Sequence, residues 1–373
     1  AMRVLTDPAE TGAVTIAMPQ DVQAEVFDWP VELFRKRVWH VRRPVPEPAA
    51  LERAVALIKA AKRPLIIAGG GTIYAGASEE LRALATATGI PVGDTQAGKG
   101  AINFDHPSAV GGVGSTGCDS GNHIADKADL IIGVGTRYSD FTTASKTQFK
   151  NPDVKFVNIN VTPFDAAKES AEMVVADARE ALAALKEALA DYRVEAAYSE
   201  EITAEKEAWL KATERCYHLD HGPLPAQTEV FGALNELMGE EDVVINAAGS
   251  MPGDLQALWQ ARSPLQYHVE YAFSCMGYEV PAAMGVKLAR PEAEVVSIVG
   301  DGTYQMLPME LATVVQENIK VIYVLLQNYG FCSIGALSES RGSQRFGTKY
   351  RRRGEGSHLA DEQVIDGVDI AAN

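Results

Sequence analysis

With 373 residues, 46% of them hydrophobic, the chain has apolar material for two or three folded blocks. Its 34 Lys and Arg stand against 50 Asp and Glu, a formal net charge of −16, and such a surface argues against nucleic acid or an anionic membrane as partner. Four scattered cysteines, Cys118, Cys216, Cys275 and Cys332, form no CxxC pair and read as reduced thiols of a cytoplasmic protein.

The chain opens inside what reads as a helix and closes, at 368–373, on what reads as the start of another, so a piece of a longer polypeptide is expected. Residues 12–18 (GAVTIAM) form a short β-rich run, which Pro19 turns out of its sheet. The prolines Pro44, Pro46 and Pro48 predict an extended linker. A helix follows over 49–61, with Leu51, Ala54, Val55 and Ile58 on one face. Strands are expected at 64–68, from Ile90, at 129–135 and at 155–160, with Ser78 capping a helix to Thr88 and Asp177 capping another over 178–192. Strands alternating with helices imply a parallel sheet. The Gly69-Gly70-Gly71 turn lacks the spacing of a dinucleotide loop, and Gly133 and Gly135 read as a tight turn.

A charged helical connector at 200–209 leads to a third block from about Ala226, with a helix over 227–238 and a strand over 242–246. The turn Ala247-Ala248-Gly249-Ser250 places Ser250 at a strand's carboxyl end, within reach of a ligand. After 267–279 comes an Ala/Gly-rich helix to Ala289. Residues 295–330 then read as strand, helix and strand, a parallel βαβ unit. Gly300-Asp301-Gly302 ends the first strand and Asn328 follows the second, 27 positions after Asp301. A carboxylate and an amide oxygen at neighbouring strand ends suit a hard cation such as Mg2+, which takes few protein ligands and completes its shell with phosphate oxygens. Gly302 and Thr303 offer N–H groups to a phosphate at the start of the helix. The residues read as a metal and diphosphate site.

GDG followed some two dozen residues later by Asn resembles the signature of the thiamine-diphosphate enzymes. The resemblance implies an α/β fold of two doubly wound parallel-sheet domains and the tail of a third. Residues 1–30 would be the remnant of a pyrimidine-binding domain, 31–48 a linker and 49–192 the central domain. A connector would fill 193–225 and the diphosphate-binding domain 226–373. It implies Mg2+ ligation by Asp301, Asn328 and the main-chain carbonyl of Gly330. Thiamine diphosphate would be held by Ser250, Met276, Gly300, Gly302, Thr303 and Tyr329, with Met276 wedged under the cofactor. FAD, bound by the central domain in some relatives, is not demanded. The activating glutamate is expected upstream of Ala1, so no catalytic residue is assigned and residues 1–373 alone are expected to be inactive.

Three strings are more specific: NAAGSMPGDLQALWQ from Asn246, YHVEYAFSCMGYEVP from Tyr267 and YGFCSIGALSESRGSQRFGTKYRR from Tyr329. They resemble the trihydroxycyclohexane-1,2-dione hydrolases of inositol catabolism, as do the middle block and the PQDVQAE run. That implies hydrolytic opening of a cyclic 1,2-dione to 5-deoxy-D-glucuronate by a homodimer or homotetramer. An acetohydroxyacid-synthase-like carboligase and a non-catalytic assembly chain are the alternatives. His268 and Glu270 could share a strand face but lack further zinc ligands, and the Arg351–Arg353 run reads as a solvated loop. Cys275 and Cys332 read as packing residues, since no His or Asn partner supports a nucleophile.

Overall fold

The structure is a computed structural model and describes residues 1–271 and 273–351. The expected terminal helix start at 368–373, together with Arg352 and Arg353, lies outside the described residues.

Six parallel strands make the first sheet: β1 (Pro64–Ala68), β2 (Val92–Asp94), β3 (Ala109–Gly112), β4 (Leu130–Val134), β5 (Lys155–Asn160) and β6 (Glu172–Val175). Their order, β3-β2-β1-β4-β5-β6, reverses direction at β1, which is the doubly wound arrangement. In register, Ile66 stands between Val92 and Ile132. PLIIA and LIIGV are apolar without alternation because helices cover both faces of such a sheet.

The helix Pro48–Ala60 begins on a proline whose fixed φ suits the first turn, and it buries Ala50, Ala54 and Ile58. Ser78 is not a cap: Ala77 holds that position in the helix Ser78–Thr88, and the Ser78 hydroxyl is buried inside the first turn. Asp177 does cap Ala178–Ala188, accepting from Arg179 N at 3.0 Å, and it also pairs with Arg43 at 3.0 Å. That helix stops four residues short of Tyr192 (192 − 188 = 4), as the chain leaves helical geometry at Leu189.

Residues 12–18 form no strand. They are largely exposed and join neither sheet of the described residues, so their backbone groups have no ladder to pair in. Gln20–Ala24 is a short helix, and Phe27, Trp29, Phe34 and Trp39 are exposed along the same segment.

The second sheet is also parallel, in the order β10-β9-β7-β8, from β7 (Val243–Asn246), β8 (Tyr267–Val269), β9 (Val295–Gly300) and β10 (Ile322–Leu326). The connecting helix Ala196–Tyr217 fastens the two units together: Tyr198 OH donates to Pro64 O, Trp209 Nε1 to Ala257 O and Tyr217 OH to Leu258 O. A polar seam completes the joint. Tyr267 OH donates to Gln96 Oε1 at 3.1 Å, Gln96 Nε2 to Pro252 O at 2.7 Å, Thr116 Oγ1 to Gln256 Oε1, and Gln256 Nε2 to Asp94 O and Val113 O. Gln256 is 1% exposed, so its removal leaves buried groups unpaired. Replacement Gln256→Ala is expected to cost about 1–3 kcal/mol, read as a lower denaturant midpoint at unchanged secondary structure.

Candidate functional site

Asp301 follows β9 directly and is 1% exposed. One carboxylate oxygen, Oδ1, accepts from Gly302 N at 2.8 Å; the other, Oδ2, accepts from Asn328 N at 3.2 Å and Tyr329 N at 2.6 Å. The carboxylate therefore fastens the loop after β10 to the end of β9. Tyr329 and Gly330, with φ of 61° and 155°, bend that loop back over Asp301. A Cβ on Gly330 would collide with the Thr348 carbonyl, so only glycine fits where residues 348–350 cross the loop. Phe331 N donates to Thr348 O at 2.7 Å, and Tyr350 N to Tyr329 O at 2.9 Å.

The Asn328 carboxamide aims one polar atom at Asp301 Oδ1, 3.3 Å away, and at Gly330 O, 2.9 Å away. Turning the amide decides what sits there. With nitrogen inward, the contacts are hydrogen bonds. With oxygen inward, three oxygens converge with no proton between them, an arrangement that needs a cation. A carboxylate, an amide and a main-chain carbonyl form the hard oxygen set that fits Mg2+, and three ligands leave room for phosphate oxygens and water. Among the described residues no group of three His, Cys, Asp or Glu could hold a metal, so a softer ion has no competing site there.

This corner opens on a cavity of about 530 Å3 at the carboxyl ends of the second sheet. Ser250, Met276, Gly300, Gly302 and Thr303 line it, together with Asp301, Asn328 and Gly330. Tyr329 does not; its backbone N–H serves Asp301 instead. The helix expected to face a phosphate is shorter than its sequence suggests. Asp301–Tyr304 is one turn, and the chain re-forms a helix only at Glu310–Gln316, after Pro308. So short a turn carries little macrodipole, and local N–H and hydroxyl groups are what it offers an anion.

His268 and Glu270 do not converge on a common point. His268 Nε2 lies 2.7 Å from Tyr278 OH, and burial lowers its pKa; Glu270 Oε2 accepts from Cys275 N at 2.6 Å. Both shape the loop that carries Met276. The Cys332 thiol donates to Asn328 O at 3.4 Å, and burial pushes its pKa up, away from a nucleophilic thiolate.

Some wall residues escaped the sequence reading. Gln96, Thr116 and Phe141 reach the cavity from the first sheet's unit. Gln96 follows β2's carboxyl end, a position that the rule for ligands of parallel sheets could have flagged. Glu279 lies behind the wall, fully enclosed; it accepts from Ala248 N and Gly277 N, and its two oxygens stand 3.3 and 3.2 Å from Thr303 Oγ1. Burial raises its pKa. A glutamate opening a helix of mostly apolar, small residues was its only sequence signal.

Residues 51–185 match the family described as "Thiamine pyrophosphate enzyme, central domain", and residues 247–372 match "Thiamine pyrophosphate enzyme, C-terminal TPP binding domain". The chain is 46% identical over 397 residues to a Bacillus cereus (strain AH820) protein named 3D-(3,5/4)-trihydroxycyclohexane-1,2-dione hydrolase. Relatives of the same name from Bacillus anthracis (strain CDC 684 / NRRL 3495) and Bacillus thuringiensis (strain Al Hakam) are 45% and 46% identical. Each alignment takes in 100% of this chain and 62% of the relative, so the chain spans about three-fifths of the length of these proteins. Replacement Asp301→Ala is expected to weaken Mg2+-dependent binding of thiamine diphosphate by at least about 100-fold, measured by titration calorimetry.

Proposed function

Since the chain belongs to the thiamine pyrophosphate enzymes, we propose that its cavity holds thiamine diphosphate with one Mg2+, and that the whole protein opens a cyclic 1,2-dione by hydrolysis. The substrate assigned is trihydroxycyclohexane-1,2-dione and the product 5-deoxy-D-glucuronate, a step of myo-inositol catabolism. The observation that carries the site is the meeting of Asp301, Asn328 and Gly330 oxygens beside the cavity. The substrate rests on the shared name of relatives 45–46% identical along the whole chain.

The reaction adds one water and breaks the bond between two carbonyl carbons, one becoming a carboxylate and the other an aldehyde. When bound, thiamine diphosphate supplies a nucleophilic carbon to one carbonyl and a sink for the electron pair of the breaking bond. Asp301, Asn328 and the Gly330 carbonyl would hold the metal. Ser250, Gly302 and Thr303 would face the diphosphate, with Gly300 leaving the backbone clear. Met276, bulky and apolar, would support the cofactor from the opposite wall and exclude water there. Tyr329, through its N–H to Asp301, keeps the ligand loop in place.

Asp301 is the one acidic side chain among the described residues lining the cavity, and the metal engages it. The glutamate that would activate the cofactor is accordingly not among the described residues that line the cavity. Exposed Met306, Met309, Ile334 and Leu337 favour association with further copies, as a homodimer or homotetramer. Four free cysteines favour the cytoplasm.

The whole protein, given thiamine diphosphate and Mg2+, is expected to convert the dione to 5-deoxy-D-glucuronate, followed by chromatography of the acid. Acetolactate from pyruvate without dione turnover would overturn the assignment. Residues 1–373 alone are expected to bind the cofactor and leave the dione intact. Replacement Met276→Ala is expected to lower kcat about tenfold or more while changing the cofactor Kd only severalfold, checked by steady-state kinetics beside calorimetry.

A further inference from the structure

Behind Thr303, on the side away from the cavity, lies a buried carboxyl group that no basic side chain neutralises among the described residues. Glu279 opens the helix Glu279–Ala289 and has no exposed surface. Its Oε1 accepts from Ala248 N at 3.4 Å and its Oε2 from Gly277 N at 3.2 Å. Thr303 Oγ1 stands 3.3 and 3.2 Å from the two oxygens and accepts from Gly277 N at 2.7 Å. These partners sit after β7, β8 and β9, so one side chain joins three of the four segments that follow the strands of the second sheet.

A carboxylate enclosed with no cation beside it is held against the full loss of its hydration, and protonation relieves that cost. The hydrogen count then resolves. We propose that Glu279 is a positioning residue that stands as the neutral acid, donates its O–H to Thr303 Oγ1 and so turns the Thr303 hydroxyl hydrogen into the cavity. Gly277 N–H and Glu279 O–H fill both lone pairs of Thr303 Oγ1, which leaves its hydrogen the open side. Thr303 itself lines the cavity and Glu279 does not, so Glu279 acts through it. A charged Glu279 would draw that hydrogen back and present a lone pair to the diphosphate, the wrong polarity for an anion. The inference rests on the reading of this cavity as a diphosphate site.

The test compares Glu279→Gln and Glu279→Ala in the intact protein by two measurements. One is the Kd for thiamine diphosphate with Mg2+. The other is amide hydrogen exchange of segments 247–250 and 275–278 without cofactor. The Gln amide is uncharged, keeps a carbonyl acceptor and can place an N–H where the neutral acid has its O–H, so E279Q is expected to bind within about threefold of the unsubstituted protein. E279A is expected to bind at least about tenfold more weakly, with faster exchange in both segments. Equal losses in E279Q and E279A would overturn the neutral acid, and an unchanged Kd in E279A would overturn the positioning role. Cofactor that fails to bind the unsubstituted protein, while E279A still exchanges faster, would sink the diphosphate reading and the hydroxyl's task with it, leaving the three-loop clamp supported.

Discussion

In the ladder between β9 and β10, Gly300 stands opposite Leu326, so the next residues, Asp301 and Gln327, leave the sheet side by side. Asn328 and Gly330 can meet Asp301 only because of that register. A slip of one residue would move one loop about 3.3 Å along the other and turn every side chain of the strand to the opposite face. The buried run Val295–Val299 makes such a slip costly, since the apolar residues of VVSIV are covered on both sides. The meeting of the Asp301, Asn328 and Gly330 oxygens is thus a consequence of core packing. Asp301 then adds a local constraint, using its two oxygens on three backbone N–H groups before any ion arrives.

Charge gives the site its second rule. A chain of net charge −16 receives an anionic cofactor, so attraction cannot come from the overall field. Two like unit charges 4 Å apart repel by about 4 kcal/mol at an effective dielectric constant of 20. Under the proposed reading, Asp301 would be tolerable near a diphosphate because a bound dication would offset the repulsion. Glu279 has no such ion, and its neutral form is the second way a carboxyl can remain beside the site. In that reading one carboxyl would bind a metal and the other would lose its charge.

Local information carried most of the fold. PLIIA, LIIGV and VVSIVG read as strands from their own apolar composition, and the spacing from GDG to Asn follows from one βαβ unit, so Asp301 and Asn328 could be picked from a short window. Gln96, Thr116 and Glu279 could not. The contact of Gln96 with Tyr267 spans 171 positions and that of Thr116 with Gln256 spans 140, and no periodicity encodes a seam between two sheets. The run 12–18 misleads for the same reason in reverse: it has strand propensity, but a strand exists only against a neighbour. Ser78 shows that a capping residue type one position too late becomes the first helical residue, with its hydroxyl buried.

The seam also explains why the first sheet's unit belongs to the site although its own turns show no cofactor fingerprint. Gln96 holds Pro252 O, and Pro252 opens the helix that follows Ser250, so the position of β2's end sets that of the wall facing Asp301. Tyr267 locks Gln96 from β8, the strand whose loop carries Met276. Both walls are thus tied to one glutamine that is 3% exposed and has both its oxygen and its nitrogen engaged. Both of its amide hydrogens are engaged, by Thr116 Oγ1 and Pro252 O, which leaves only the second lone pair of its oxygen for a ligand. The first unit accordingly helps to shape the cavity, and the second unit brings the Asp301, Asn328 and Gly330 oxygens to its edge.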